Sequence, residues 1–251
     1  MIAVRDFVHA QDKKLTKKIF ADTPVKTWLD NLHEDHLDEV CEYVYSASLP
    51  EITDKKIITM HDVACQKFGI NSFVMYYTRN YDYNISCVGY NFPAVLIPAI
   101  LIEDADEEIL QARLYSAAAA IAAGHPKLKF FLWMAENMSG VVSIPIIGTA
   151  LLSILYEWNR VRQFTLDRAV FMATEDFELA LKNILYGVVP QDILQNFKFD
   201  EANNSFDEQT RRYFNTEDPT EIIGKIFSYT SDYSWLPRRY DELEKFYYRN
   251  L

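Results

Sequence analysis

The sequence predicts an α+β fold, mostly helical with a small β-sheet. Three observations lead there. Apolar residues recur at helical spacing near the amino end, the segments that read as strands fall within residues 72–103, and long helix-forming stretches fill most of the remaining chain. With 251 residues and 49% hydrophobic content, the chain can bury one substantial core, so residues 1–251 are expected to form a single domain. Within it, 1–54 read as an amino-terminal helical segment and 55–251 as the main body.

From the amino end, Leu15, Ile19, Val25, Trp28, Leu29, Leu32, Leu37, Val40 and Val44 mark two helices over 14–47, with a break at Thr23-Pro24. "TMHDVACQKFGI" predicts a third helix ending at Gly69. "SFVMYYTR" and "YNISCVGY", on either side of the polar "NYD", predict a hairpin. "PAVLIPAILIE" reads as an apolar strand whose Pro93 and Pro98 favour an edge or a bulge. "EDADEEILQARLYSAAAAIAAGH" opens with acids suited to a helix N-terminus and continues with strong helix formers. Its alanines let neighbouring helices come close, and Pro126 is expected to end or kink the helix just after His125. Further helices are expected from about Leu151 through "YEWNRVRQFTLDRAVFMA", over "EDFELALKNILYG", and in the short stretches "DPTEIIGKIFSY" and "PRRYDELEKFYY".

Composition excludes several functions. A net charge of -11 repels phosphate backbones, and no basic cluster with interleaved aromatics offsets it, so nucleic acid is not an expected partner. Cys41, Cys65 and Cys87 form no C-x-x-C pair and suit buried thiols in a reducing compartment. The charged amino terminus is no secretory signal, which places the protein in the cytoplasm. Residues 140–156, "GVVSIPIIGTALLSILY", are uncharged but fall short of the roughly 20 residues of a spanning helix, and they contain Pro145 and Gly148. A buried hairpin or helix is favoured there over membrane contact.

Motifs for common chemistries are also missing. "HEDH" at 33–36 sets its histidines three apart, whereas two zinc ligands on one helix face stand four apart. Seven glycines build neither G-x-G-x-x-G nor G-x-x-x-x-G-K, and no G-x-S-x-G elbow occurs.

One ordered set of segments carries a resemblance. "YNFPAVLIPAILIEDADEEILQARL", a helix ending "IAAGH", and later "EWNRVRQFTLDRAVFMATEDFELALKNILYG" together resemble the HtpX and CAAX-prenyl-protease family of zinc metallopeptidases. The resemblance spans about 55–250 and implies a zincin-like, metallopeptidase-like core. In that family one helix carries H-E-x-G-H and a later one carries E-x-x-x-D followed by arginine. On this pattern Ile121 takes the place of the first zinc-ligand histidine, Ala122 that of the catalytic glutamate, and Gly124 and His125 are retained. Gln163 stands where the third ligand, a glutamate, belongs, while Asp167 and Arg168 match the supporting acid and its arginine. Thr230-Ser231-Asp232 replaces a Thr-His-Pro ahead of Arg238 and Arg239.

A catalytic zinc needs about three protein donors plus an open position for water. Isoleucine has no lone pair, neutral glutamine replaces a carboxylate poorly, and alanine cannot act as general base. No catalytic residue, no metal ligand set and no cofactor is therefore expected, and His125 is read as a structural remnant, with Asp167 either hydrogen-bonding it or pairing with Arg168. The expected function is that of a catalytically inactive metallopeptidase-like protein holding a polypeptide or protein partner. Two alternatives stand beside it. One is an active zinc enzyme with unconventional ligands drawn from His61, His125, Glu136, Glu157 and Asp167. The other is a scaffold or subunit acting through an aromatic interface, suggested by sixteen tyrosines and sixteen phenylalanines.

Overall fold

The computed structural model describes residues 1–21, 49–79, 84–137, 149–186 and 236–250. The expected helix over 25–47, the "HEDH" stretch, Cys41, residues 140–148, the "DPTEIIGKIFSY" helix and Thr230-Ser231-Asp232 lie outside these residues.

Short α1 (Val4–Phe7) leads into α2 (Ala10–Ala21). Helix α3 (Lys55–Phe68) starts where Asp54 accepts hydrogen bonds from the Lys56 and Ile57 amides, and it stops at Gly69 with φ of 65°. That left-handed residue is the stop that the glycine predicted. A mixed three-stranded sheet comes next, made of β1 (Val74–Thr78), β2 (Ser86–Val88) and β3 (Ala94–Pro98).

The order β1-β3-β2 overturns the predicted hairpin. β1 pairs with β3 in parallel, Val74 opposite Ala94 and Thr78 opposite Pro98, and β2 pairs with β3 antiparallel, Cys87 opposite Val95. The most apolar strand thus takes the centre, paired along both of its edges. Its prolines are compatible with that place because Pro93 precedes the strand and Pro98 is its last residue, so neither interrupts the ladder. The outer edge of β1 is covered in turn: the Ile52 amide donates to the Met75 carbonyl and the Tyr77 amide to that of Pro50, both at 2.9 Å.

The rest of "PAVLIPAILIE" is helical, as α4 (Ala99–Asp104), and then comes α5 (Glu107–Ala122) with Glu107 and Glu108 in its first turn. The end of α5 also departs from expectation. The alanine helix stops at Ala122, and Gly124, at φ of 73°, breaks it from the next. His125 is the first residue of a new helix, α6 (His125–Asn137). Pro126 therefore begins a helix instead of ending one, a place where the missing amide costs nothing.

Helix α7 (Thr149–Thr174) is 26 residues long, about 39 Å at the usual rise, and packs against α1, α2, α5, α6, α8 (Phe177–Tyr186) and α9 (Leu236–Asn250). Residues 149–156 of the uncharged stretch form its start. Among the described residues no helix is long and apolar enough to cross a membrane. The main core joins Ala117 to Ala120 of α5 with Phe68 of α3, Val95 and Ile97 of β3, and Leu166 and Ala169 of α7. Alanine at these contacts permits close approach of backbones. A second core gathers Leu15 and Ile19 of α2 with Leu128 of α6 and Trp158 of α7.

Candidate functional site

His125 is 2% exposed and lies among groups supplied by α2 and α7. Its Nε2 is 2.9 Å from Asp12 Oδ2. Trp158 Nε1 donates to Asp12 Oδ1 at 2.9 Å, and Thr165 Oγ1 donates to Oδ2 at 2.5 Å. The Thr165 hydroxyl in turn accepts from the His9 amide at 3.0 Å. Trp158 also meets the imidazole edge to face, ring centroids 5.6 Å apart. Burial on its own would raise the Asp12 pKa, but the His125 hydrogen bond and charge, with the Thr165 and Trp158 donors, hold it below the ordinary carboxylate range. Asp12, and not Asp167, satisfies the histidine.

Asp167 faces away toward α9. Arg239 grips it with two parallel bonds, Nε to Oδ2 at 2.8 Å and Nη2 to Oδ1 at 2.5 Å. The neighbouring Arg168 donates to Glu242 Oε2 at 3.2 Å and lies 4.9 Å over the Phe246 ring. His9 bonds the same Glu242 oxygen at 3.0 Å. That hydrogen bond, ahead of the nearby charges and against burial, lowers the Glu242 pKa. These contacts fasten α9 to α7.

Gln163 does share a space with His125. Both line a cavity of about 170 Å³ between β2, α5, the start of α6 and α7. Ile121 does not line it. Its side chain lies instead on a cleft of about 560 Å³ formed by the loops around Gly69–Val74 and Gly89–Ala94, with Phe92, 80% exposed, beside it. Ala122 packs against the main core, and an added Cβ on Gly124 would meet no atom within 4 Å.

The donors present do not fit a catalytic zinc. His125, with Nε2 on Asp12, could offer only Nδ1, Gln163 offers only an amide, and Ile121 presents hydrocarbon to a different cleft, so one imidazole nitrogen stands where about three donors are needed. The alternative ligands have separate surroundings as well. His61 donates to Asp62 at 2.9 Å and accepts from the Phe73 amide at 3.3 Å, Glu157 accepts from Gln11 at 2.7 Å, and Glu136 is exposed. Among the described residues no three His, Cys, Asp or Glu side chains come together as a metal-sized group.

Asp12, Thr165 and Trp158 were not expected at the site from the sequence, and Arg239, named only in the basic stretch near the carboxyl end, was not expected to pair with Asp167. A signal existed for Asp12: it shares a helical stripe with Leu15 and Ile19, at spacings of three and seven, and a carboxylate on a buried stripe requires partners. Nothing local marked Arg239, because its partner lies 72 residues earlier. No protein-family model matches the chain, and no curated protein or solved structure matches it significantly.

Proposed function

We propose that the chain is a catalytically silent, metallopeptidase-like protein of the cytoplasm that holds a polypeptide without cutting it. The observation that carries this reading is the Ile121 cleft: hydrocarbon lies where the resembled motif has its first ligand, and exposed Phe92 stands beside it. An open cleft of that size, in which Phe73, Val74, Phe92 and Ile121 stand among polar Asn71, Ser72 and Asn91, suits side chains of an extended or unfolded segment.

The test is anisotropy of a fluorescent, reduced and alkylated unfolded protein, together with metal analysis. Binding without cleavage is expected, weakened by Phe92→Ser. Absence of binding, or chelator-sensitive cleavage by zinc-loaded protein, would overturn the reading. A second reading, a subunit docking through aromatic surface, is favoured by the exposure of Trp133 and Tyr248. Sedimentation that shows only a monomer across a wide concentration range would count against it.

A further inference from the structure

The Ile121 cleft differs from the chain around it in charge. Among the described residues no charged side chain lines it, although 24% of the sequence is charged and the whole chain carries -11. The α3 charges next to its wall, Lys67 just before Gly69 and Asp62 on the His61 ring that meets Phe73, are opposite in sign. A projection stands directly beside the hollow. Phe92 belongs to the cleft wall and is 80% exposed, and Val74, 43% exposed, belongs to the same wall. Both are held at one end of the sheet, because Val74 begins β1 opposite Ala94, the residue that begins β3 two places after Phe92. The loop that carries Phe92 is tight: a Cβ on Gly89 would lie 2.8 Å from the Phe92 carbonyl oxygen. Ring and hollow therefore keep a fixed spacing.

We propose that two copies of the chain pair about a two-fold axis at this face, the Phe92 ring of each entering the Ile121 cleft of the other. A two-fold contact brings the same patch together from both sides, so a patch with a ring beside a hollow complements itself. Charge selects the same face. Two copies at -11 repel, and they meet at least cost where neither presents a charge; interface cores are depleted of charged residues and enriched in aromatic ones for this reason. A cavity of roughly 150 Å³ holds benzene, so the cleft of about 560 Å³ admits a phenylalanine ring. An unrelated chain would fill the hollow and leave Phe92 beside it, whereas a second copy uses both. The pair fills both clefts, so self-association and polypeptide capture exclude each other. That last consequence rests on the reading of the cleft as a polypeptide site.

Sedimentation velocity of the intact chain tests the pairing. Two such insertions make a weak, transient dimer, with a dissociation constant on the order of 10–100 µM, so concentrations run from about 1 to 500 µM. Phe92→Ser and Val74→Glu, both at exposed positions, are each expected to weaken it about tenfold or more, while Trp133→Ser leaves it unchanged. Raising sodium chloride from about 20 to 500 mM is expected to tighten it, because screening removes the repulsion between acidic copies and spares an uncharged contact. A monomer at every concentration, full affinity in Phe92→Ser or Val74→Glu, loss of the dimer in Trp133→Ser, or a dimer that salt weakens would overturn the pairing. Reduced and alkylated unfolded protein is expected to dissociate the dimer. If that protein binds and the dimer persists, the mutual exclusion is overturned. A chain that pairs but binds no unfolded protein keeps this inference and loses the polypeptide reading; one that binds it but never pairs does the reverse.

Discussion

Asp12 and His125 stand 113 residues apart in the chain and 2.9 Å apart in space, each almost wholly buried. The aspartate also serves Trp158 and Thr165, so three donors from α6 and α7 converge on one carboxylate of α2. Replacing it with alanine strands all three in the interior. Asp12→Ala is expected to cost about 3–5 kcal/mol, as removal of one partner from a buried pair does. Urea denaturation measures it, and a loss below about 1 kcal/mol would mean that water or a rearranged side chain replaces the acceptor.

Acid should weaken the fold through the same group. The folded-state pKa of Asp12 lies below its ordinary 3.8, and that of Glu242 below 4.5. Each depressed carboxylate contributes stability that is present above its unfolded value and is lost as pH falls through its folded value. Stability is therefore expected to drop below about pH 4.5, and Asp12→Asn should flatten the portion of the curve below 3.8. Urea midpoints between pH 2 and 6 check this. An unchanged slope in the variant would contradict the assignment.

Arg239→Lys is expected to behave as a damaging change despite the retained charge. Lysine cannot form the two parallel bonds to Asp167, and its compact, strongly hydrated ammonium is costlier to bury. We expect a loss of about 2 kcal/mol and earlier protease cleavage next to α9. Equal resistance of variant and parent to limited proteolysis would show that apolar contacts such as Leu243 and Phe246 hold α9 by themselves.

Two glycines should respond differently to alanine. Gly124 sits at φ of 73° with open space around an added Cβ, so only the backbone conformation is penalised, by about 1–2 kcal/mol. Gly89, at φ of 104°, would also bring its Cβ to 2.8 Å from the Phe92 carbonyl oxygen. Gly89→Ala is therefore expected to lower the thermal midpoint further than Gly124→Ala. The reverse order would place the decisive constraint at the α5–α6 turn.

Helices were legible where their signals are local. Gly69 marks the end of α3, whose start at Lys55 lies four residues ahead of the segment read as helical, acids open α5, and the apolar period of α7 runs over many turns. The sheet order was not legible, because β1 and β2 are neighbours in sequence and the strand that separates them, β3, comes afterwards. The break at Gly124 was hidden for a simpler reason: proline at a helix start and proline after a helix end look alike until the preceding φ is known. At the site, the segments containing His125 and Gln163 were readable, but the directions of their side chains were not. Ile121 and His125 are four residues apart, a spacing that shares one face only if the helix is unbroken, and Gly124 intervenes.

The polar knot around Asp12 sets an order of assembly. Its donors Trp158 and Thr165 lie 146 and 153 residues downstream, so α2 emerges from the ribosome long before the groups that will bond its carboxylate. Contacts of such span close slowly and leave an uncovered charge and an apolar stripe waiting in the meantime. Deleting α2 would open the interior of the bundle instead of trimming its rim, so an affinity tag or fluorophore belongs elsewhere on the molecule.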